Sequence, residues 1–214
     1  MKHPRELFAV SAATTGALAA LIVMALMPAT AARAAGSVEA GQTKAVVCTA
    51  CHGPNGNSVN PEWPSLAGQN QAYFIRTLKA FKSGERSNPL MTAQAMTLSD
   101  DDIADLAAYF AAQTRQPKTA DPKLAAEGER LFRGGNKETG VAACIACHGP
   151  TGSGNAPAAY PSIAGQHAAY TATQLKAYRG GQRSSDLNQM MRNTTARLTD
   201  VEIDAIANFV QGLR

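Results

Sequence analysis

Cys48-Thr49-Ala50-Cys51-His52 and Cys144-Ile145-Ala146-Cys147-His148 each place two thiols and an imidazole within five residues. Two thiols at this spacing reach the two vinyl groups of one porphyrin and form thioethers. The histidine that follows then lies under the ring centre, where its imidazole binds iron. All four cysteines of the chain fall in these motifs, so none is left over. A thioredoxin-like pair needs a strand–helix context that this sequence lacks, and it does not explain a histidine after both pairs. A zinc ion held by both pairs makes each histidine redundant and has to bridge two separate repeats. The residues point to two covalently bound haem c groups, attached at Cys48, Cys51, Cys144 and Cys147, with His52 and His148 as iron ligands.

A haem iron has a sixth position that is either filled or open, and that choice separates carriers from catalysts. Of seven methionines, Met1, Met24 and Met27 lie near the N-terminus, and the other four are Met91, Met96, Met190 and Met191. Methionine used as core filler is scattered along a chain. Here the four sit in one matching window of each repeat, just ahead of its last helix. Register chooses among them: Met91 is seven residues before Leu98, and Met191 is seven before Leu198. Ala196 stands opposite Met96, and Leu90 stands opposite Met190. Met91 and Met191 are the expected axial ligands, with Met96 and Met190 as the alternatives.

The elements that must hold these groups also occur twice. Trp63-Pro64-Ser65-Leu66-Ala67-Gly68-Gln69 returns as Tyr160-Pro161-Ser162-Ile163-Ala164-Gly165-Gln166, and Leu98-Ser99-Asp100 as Leu198-Thr199-Asp200. The order is kept and the offset drifts by only four residues, which is the mark of a duplicated domain rather than a solenoid. The expected fold is all-α: two tandem domains over residues 35–115 and 123–214, joined by a linker at 116–122, each with a few helices and long loops around one haem. Three helices are read in each. The first starts near Val38 in one copy and after Asp121-Pro122 in the other. The middle ones cover Gln71–Lys82 and His167–Arg179. The last start at Ser99 and Thr199, where Ser99-x-x-Asp102 and Thr199-x-x-Glu202 carry N-cap signals. Gly- and Pro-rich loops such as Gly53–Pro64 are too long for so small a domain unless a large apolar group fills its centre. His167, whose repeat partner is Asn70, is expected as a solvent-facing helix start. Trp63, Tyr160, Gln69, Gln166, Tyr73 and Tyr170 are weaker candidates for contact with haem propionates.

Residues 1–34 read as a cleaved secretory signal peptide. Lys2 and Arg5 form a basic head, an apolar run covers about Gly16 to Met27, and Ala32-Arg33-Ala34 supplies the small residues of a cleavage site. The run is shorter than the roughly 20 residues that span a bilayer, and no later segment is long and apolar enough, so membrane association is at most peripheral. The formal charge of +4 falls to +2 without the leader, with 17 basic against 15 acidic residues. That balance gives no reason to invoke nucleic acid.

The repeated Cys-x-x-Cys-His, Pro-x-Leu/Ile-Ala-Gly-Gln and pre-helical methionine resemble the di-haem cytochrome c4 family, over essentially the whole chain after the leader. The resemblance implies two class I cytochrome c domains with low-spin His/Met haems. It implies no enzyme activity, and a periplasmic electron carrier that serves a respiratory donor and a terminal oxidase or other redox partner. It further implies that the Pro64 and Pro161 carbonyls accept hydrogen bonds from the proximal imidazoles, and that Gly41 and Gly128 pack under Tyr109 and Phe209. A rival reading is a di-haem enzyme of peroxidase or thiosulfate-oxidising type, which needs an open or displaceable iron position. A methionine candidate in both repeats argues against it. A further alternative is the electron-transfer subunit of a larger oxidoreductase.

Overall fold

A computed structural model of the chain describes residues 36–214, and the expected leader lies outside them. Within the first copy, α1 (Val38–Lys44) and α2 (Val46–His52) are followed by a 3-10 turn at Pro54–Gly56, α3 (Gln71–Ser83), α4 (Pro89–Met96) and α5 (Asp100–Ala111). The second copy has α6 (Pro122–Gly134), α7 (Ile145–His148), α8 (Ala168–Arg179), a 3-10 turn at Leu187–Gln189, α9 (Met190–Thr195) and α10 (Asp200–Gly212). No strand forms among the described residues. Two isolated antiparallel bridges, Asn136 with Val141 and Asn155 with Tyr160, close loops of the second copy. Residues 36–214 belong to one compact unit.

Each copy is closed by its first helix crossing its last. Side-chain-free glycines sit where the backbones meet. A Cβ at Gly41 would lie 2.1 Å from the Asp105 carbonyl oxygen and 2.7 Å from the Tyr109 Cβ. One at Gly128 would lie 2.1 Å from the Ala205 oxygen and 2.7 Å from the Phe209 Cβ. The expected glycine–aromatic contacts are therefore present in both copies. The last helices start at reciprocal capping boxes, Ser99 with Asp102 and Thr199 with Glu202. There the side chain satisfies one free N–H of the first turn and the acid satisfies the cap's own. Asp121 caps α6 with Pro122 at its first position.

Behind these helices each copy has a small apolar core. Phe74, Leu78, Phe81, Ile103, Leu106 and Phe110 form one, and Leu131, Phe132, Ile203, Ile206 and Val210 form the other. Burying a side chain such as Phe110, with none of its surface exposed, stabilises by about 1.5–3 kcal/mol. The reading of three helices per copy was too sparse. Besides the split of the first helix at Ala45, α4 and α9 carry the pre-helical methionines. They have only eight and six residues, too short for a periodic apolar signal.

Candidate functional site

Each Cys-x-x-Cys-His motif ends a helix. His52 and His148 are the last residues of α2 and α7, and both are buried. The next residue is glycine with positive φ, 75° and 76°, and an extended ψ, a conformation open to glycine that turns the chain sharply out of the helix. At Gly53 a Cβ would meet the Asn57 carbonyl oxygen at 2.1 Å, so the residue type after the motif is set by the return of its own loop. That loop folds back through paired bonds: the Leu66 and Ala67 N–H groups both donate to the Gly56 carbonyl, as those of Ile163 and Ala164 do to Gly152. The fold-back carries Pro64 and Pro161 to the imidazoles.

The His52 Nδ1 lies 2.8 Å from the Pro64 carbonyl oxygen, and the His148 Nδ1 lies 3.1 Å from that of Pro161. A carbonyl only accepts, so Nδ1 carries the proton and Nε2 keeps its lone pair for a metal. Burial lowers the pKa of both imidazoles below the ordinary histidine value, and the carbonyl bond offsets this only partly. The rings are therefore neutral at neutral pH, as a ligand must be. Cys48 and Cys144 are half-buried, while Cys51 and Cys147 are exposed, and none is in a disulfide. Burial pushes the Cys144 thiol up to about 11, so it is a poor free thiolate. Among the described residues no three His, Cys, Asp or Glu side chains are grouped to hold a metal ion, which leaves a zinc bridge between the motifs without a site. Two thiols, a fixed neutral imidazole and a thioether per copy are a donor set that suits haem c.

The structure places the methionine candidates of the two copies differently. Met91 packs against the first core together with Cys48, Leu66 and Ile75, and its backbone N–H is held by the Asn88 cap at 3.0 Å. Met96 is 63% exposed. In the second copy Met190 and Met191 are both half-buried. They follow two residues with positive φ, Asn188 and Gln189, where this copy's path from histidine to methionine is longer. The Met190 sulfur accepts the Tyr160 hydroxyl at 3.5 Å, while Met191 has no such partner and shares the register of Met91.

Comparison with known proteins follows this geometry. The Cytochrome c family model matches residues 38–113 and 125–214. Cytochrome c4 of Thiocapsa roseopersicina is 51% identical over 180 residues, 83% of this chain and 93% of that protein. The chain belongs to the di-haem cytochrome c4 family. The crystal structure of reduced recombinant cytochrome c4 from Pseudomonas stutzeri superposes with a TM-score of 0.82 at 45% identity, covering 84% of this chain and all of that one. A thiosulfate dehydrogenase electron acceptor of Thiomonas intermedia is 38% identical, over 80% of each chain. As in the family, the cofactors are two covalent haem c groups and the role is that of an electron carrier. No helix among the described residues is long and apolar enough to cross a membrane.

The polar residues expected as weaker candidates for propionate contact mostly form hydrogen bonds across the domain interface. The Gln69 amide accepts from the Ser162 N–H at 2.8 Å and donates to the Ser162 carbonyl at 2.9 Å. Gln166 does the same to Ser65, at 2.9 Å for both bonds. One side chain from each copy thus pairs with the backbone N–H and C=O of a serine in the other, about a pseudo-two-fold axis. His167 does start α8, but it is 7% exposed, and its Nε2 donates to the Ser58 carbonyl of the first copy at 2.8 Å. The expected solvent-facing histidine is buried in the interface. From the connector, Arg115 Nε donates to the Ala67 carbonyl at 2.8 Å and Nη1 to the equivalent Ala164 carbonyl at 2.6 Å. Gln166→Ala leaves a buried N–H and carbonyl of Ser65 without partners and is expected to cost about 1–3 kcal/mol. Chemical denaturation of the haem-loaded protein followed at both haems should show this loss, with the two domains no longer unfolding together.

Proposed function

We propose that this chain is an exported electron carrier. After removal of residues 1–34, domains at 35–115 and 123–214, joined through 116–122, work in the periplasm between a respiratory donor and a terminal oxidase. The observation that carries this reading is the duplicated set of motif, proline carbonyl and pre-helical methionine. Cys48 and Cys51 in one domain, and Cys144 and Cys147 in the other, hold the haems through thioethers. His52 and His148 supply one axial nitrogen each, and Met91 and Met191 supply the opposing sulfur. A bound haem c contributes a one-electron ferrous/ferric couple.

The protein's part is to keep that couple fast and correctly poised. Pro64 and Pro161 orient the imidazoles and strengthen them as donors. A thioether on the other side favours the ferrous state relative to a second histidine. With both axial positions closed by protein groups, no position is left for a substrate, which is why the enzyme reading is not favoured. The similarity to a thiosulfate dehydrogenase electron acceptor supports a second class of donor, a periplasmic dehydrogenase. The test starts with protein purified from its source. Its denatured mass should include two haems, and its ferric spectrum should show the weak near-red charge-transfer band of methionine ligation. Reduced protein is then offered to membranes containing terminal oxidase, and oxidised protein to a dehydrogenase with its substrate. A high-spin spectrum, or no exchange with either partner, rules the carrier role out.

A further inference from the structure

The amide bonds between the domains land on the peptides that hold the proximal histidines. The peptide joining Pro64 to Ser65 has a carbonyl oxygen at one end and the Ser65 N–H at the other. The oxygen lies 2.8 Å from His52 Nδ1, and the N–H donates to the Gln166 side-chain oxygen of the other domain at 2.9 Å. The peptide joining Pro161 to Ser162 repeats this. Its oxygen lies 3.1 Å from His148 Nδ1, and its N–H donates to the Gln69 side-chain oxygen at 2.8 Å. Each imidazole is therefore joined, through two hydrogen bonds and one peptide, to an amide side chain of the opposite domain. Ser65, Gln69 and Gln166 are 1%, 7% and 6% exposed.

Other bonds across the interface lack this form. Arg86 donates to the Tyr170 hydroxyl at 3.0 Å, and Arg183 to the Tyr73 hydroxyl at 2.9 Å. Those bonds join the tips of side chains, whereas the glutamine bonds continue through backbone to a histidine. Both amides are also fixed at their other contacts. Gln166 Nε2 donates to the Ser65 carbonyl at 2.9 Å, and its oxygen accepts a second N–H, from His167, at 3.1 Å. Gln69 Nε2 donates to the Ser162 carbonyl, and its oxygen accepts the Asn70 N–H, both at 2.9 Å. Turning either amide away leaves buried backbone groups unpaired.

A bond to a peptide's N–H draws electron density onto its oxygen, which then accepts more strongly, and low-dielectric surroundings enlarge the effect. A stronger acceptor at Nδ1 makes the imidazole a more basic ligand, and a more basic ligand favours ferric over ferrous iron. We propose that Gln166 and Gln69 are positioning residues that act crosswise on the two proximal histidines. Gln166 of the second domain strengthens the His52 imidazole of the first, and Gln69 of the first strengthens His148 of the second. The inference rests on the reading that these histidines ligate the two haem irons. Each domain's potential is then set in part by its neighbour, and only while the domains are docked.

The test uses the full-length di-haem protein and its Gln166→Leu and Gln69→Leu variants. Denatured mass and the near-red band are measured first, so loss of haem attachment or axial ligation is seen separately from failure of this proposal. Gln166→Leu is expected to shift the first domain's haem about threefold toward ferrous, a rise of about 28 mV for one electron. The second haem should stay nearly where it was. In proton NMR of the reduced protein, the His52 Nδ1–H resonance should move to higher field while that of His148 holds its place. Gln69→Leu should give the mirror result, at the second haem and at His148. Glutamines that merely hold the interface shut would move both haems together or neither. If one variant does not accumulate with two haems, the other decides the matter. Equal shifts at both haems, shifts confined to the variant's own domain, or unmoved Nδ1–H resonances overturn the proposal.

Discussion

Met191→Leu is expected to abolish the methionine-ligated signature of one haem, whereas Met190→Leu leaves both haems as they are. Leucine nearly matches methionine in volume, so packing changes little, and the variant removes the sulfur alone. The affected iron should lose its share of the near-red band and become high-spin, or take a weaker ligand. Its potential should fall by on the order of 100-fold in the ferrous/ferric equilibrium, roughly 120 mV. The distinction rests on two observations. Met191 keeps the register of Met91, and the Met190 sulfur already accepts the Tyr160 hydroxyl. A spectroelectrochemical titration of both variants decides it, and the reverse pattern would move the ligand to Met190.

Replacing both Cys144 and Cys147 with serine should produce a chain whose denatured mass carries one haem, and whose second domain no longer unfolds cooperatively. The expected loss is large because the second core is small. Leu131, Phe132, Ile203, Ile206 and Val210 are its main large side chains, and α7 is a single turn from Ile145 to His148. Without a large apolar group, the loop that brings Pro161 to His148 has little to pack against, and domains of this size have little surplus stability. Hydrogen exchange should show protection lost across α7 to α9 and kept in α1 to α5. Retention of two haems in the mass spectrum would be incompatible with thioethers at these cysteines.

Features that depend on residues close in sequence could be read from the chain alone. The capping boxes at Ser99 and Thr199 and the cap at Asp121 are local chemistry. The small residues at Gly41 and Gly128 and the proline carbonyls at the imidazoles came from the family pattern, and the structure shows both. The methionine helices were missed because α4 and α9 are too short for a period to emerge, although Asn88-Pro89 ahead of Met91 is a readable start.

The interface was missed for a different reason. Gln69, Tyr73, Arg86 and their partners Gln166, Tyr170 and Arg183 show the same residue types in either copy whether they face solvent, cofactor or each other. Only the docking of the two copies decides between those. One signal was present: large polar residues repeated at a constant offset of 97 on a duplicated domain. Residues that meet across a two-fold axis must occur in both halves. His167 escaped even that signal, because its partner Asn70 differs in type while making an analogous bond, from Nδ2 to the Tyr160 carbonyl at 2.7 Å.

The exchange between Gln69 and Ser162, and between Gln166 and Ser65, also bears on ancestry. A single copy carries both halves of that handshake, an amide side chain and the serine backbone N–H and C=O it fits, so it is complementary to itself. Such a surface is what an isologous homodimer uses. A tandem chain then follows from joining two already mated subunits, with Arg115 in the joining segment gripping equivalent carbonyls on either side. The halves now differ in their ligand loops and in charge, and even in part of the interface, where His167 answers Asn70, while the amide pair Gln69 and Gln166 keeps its type.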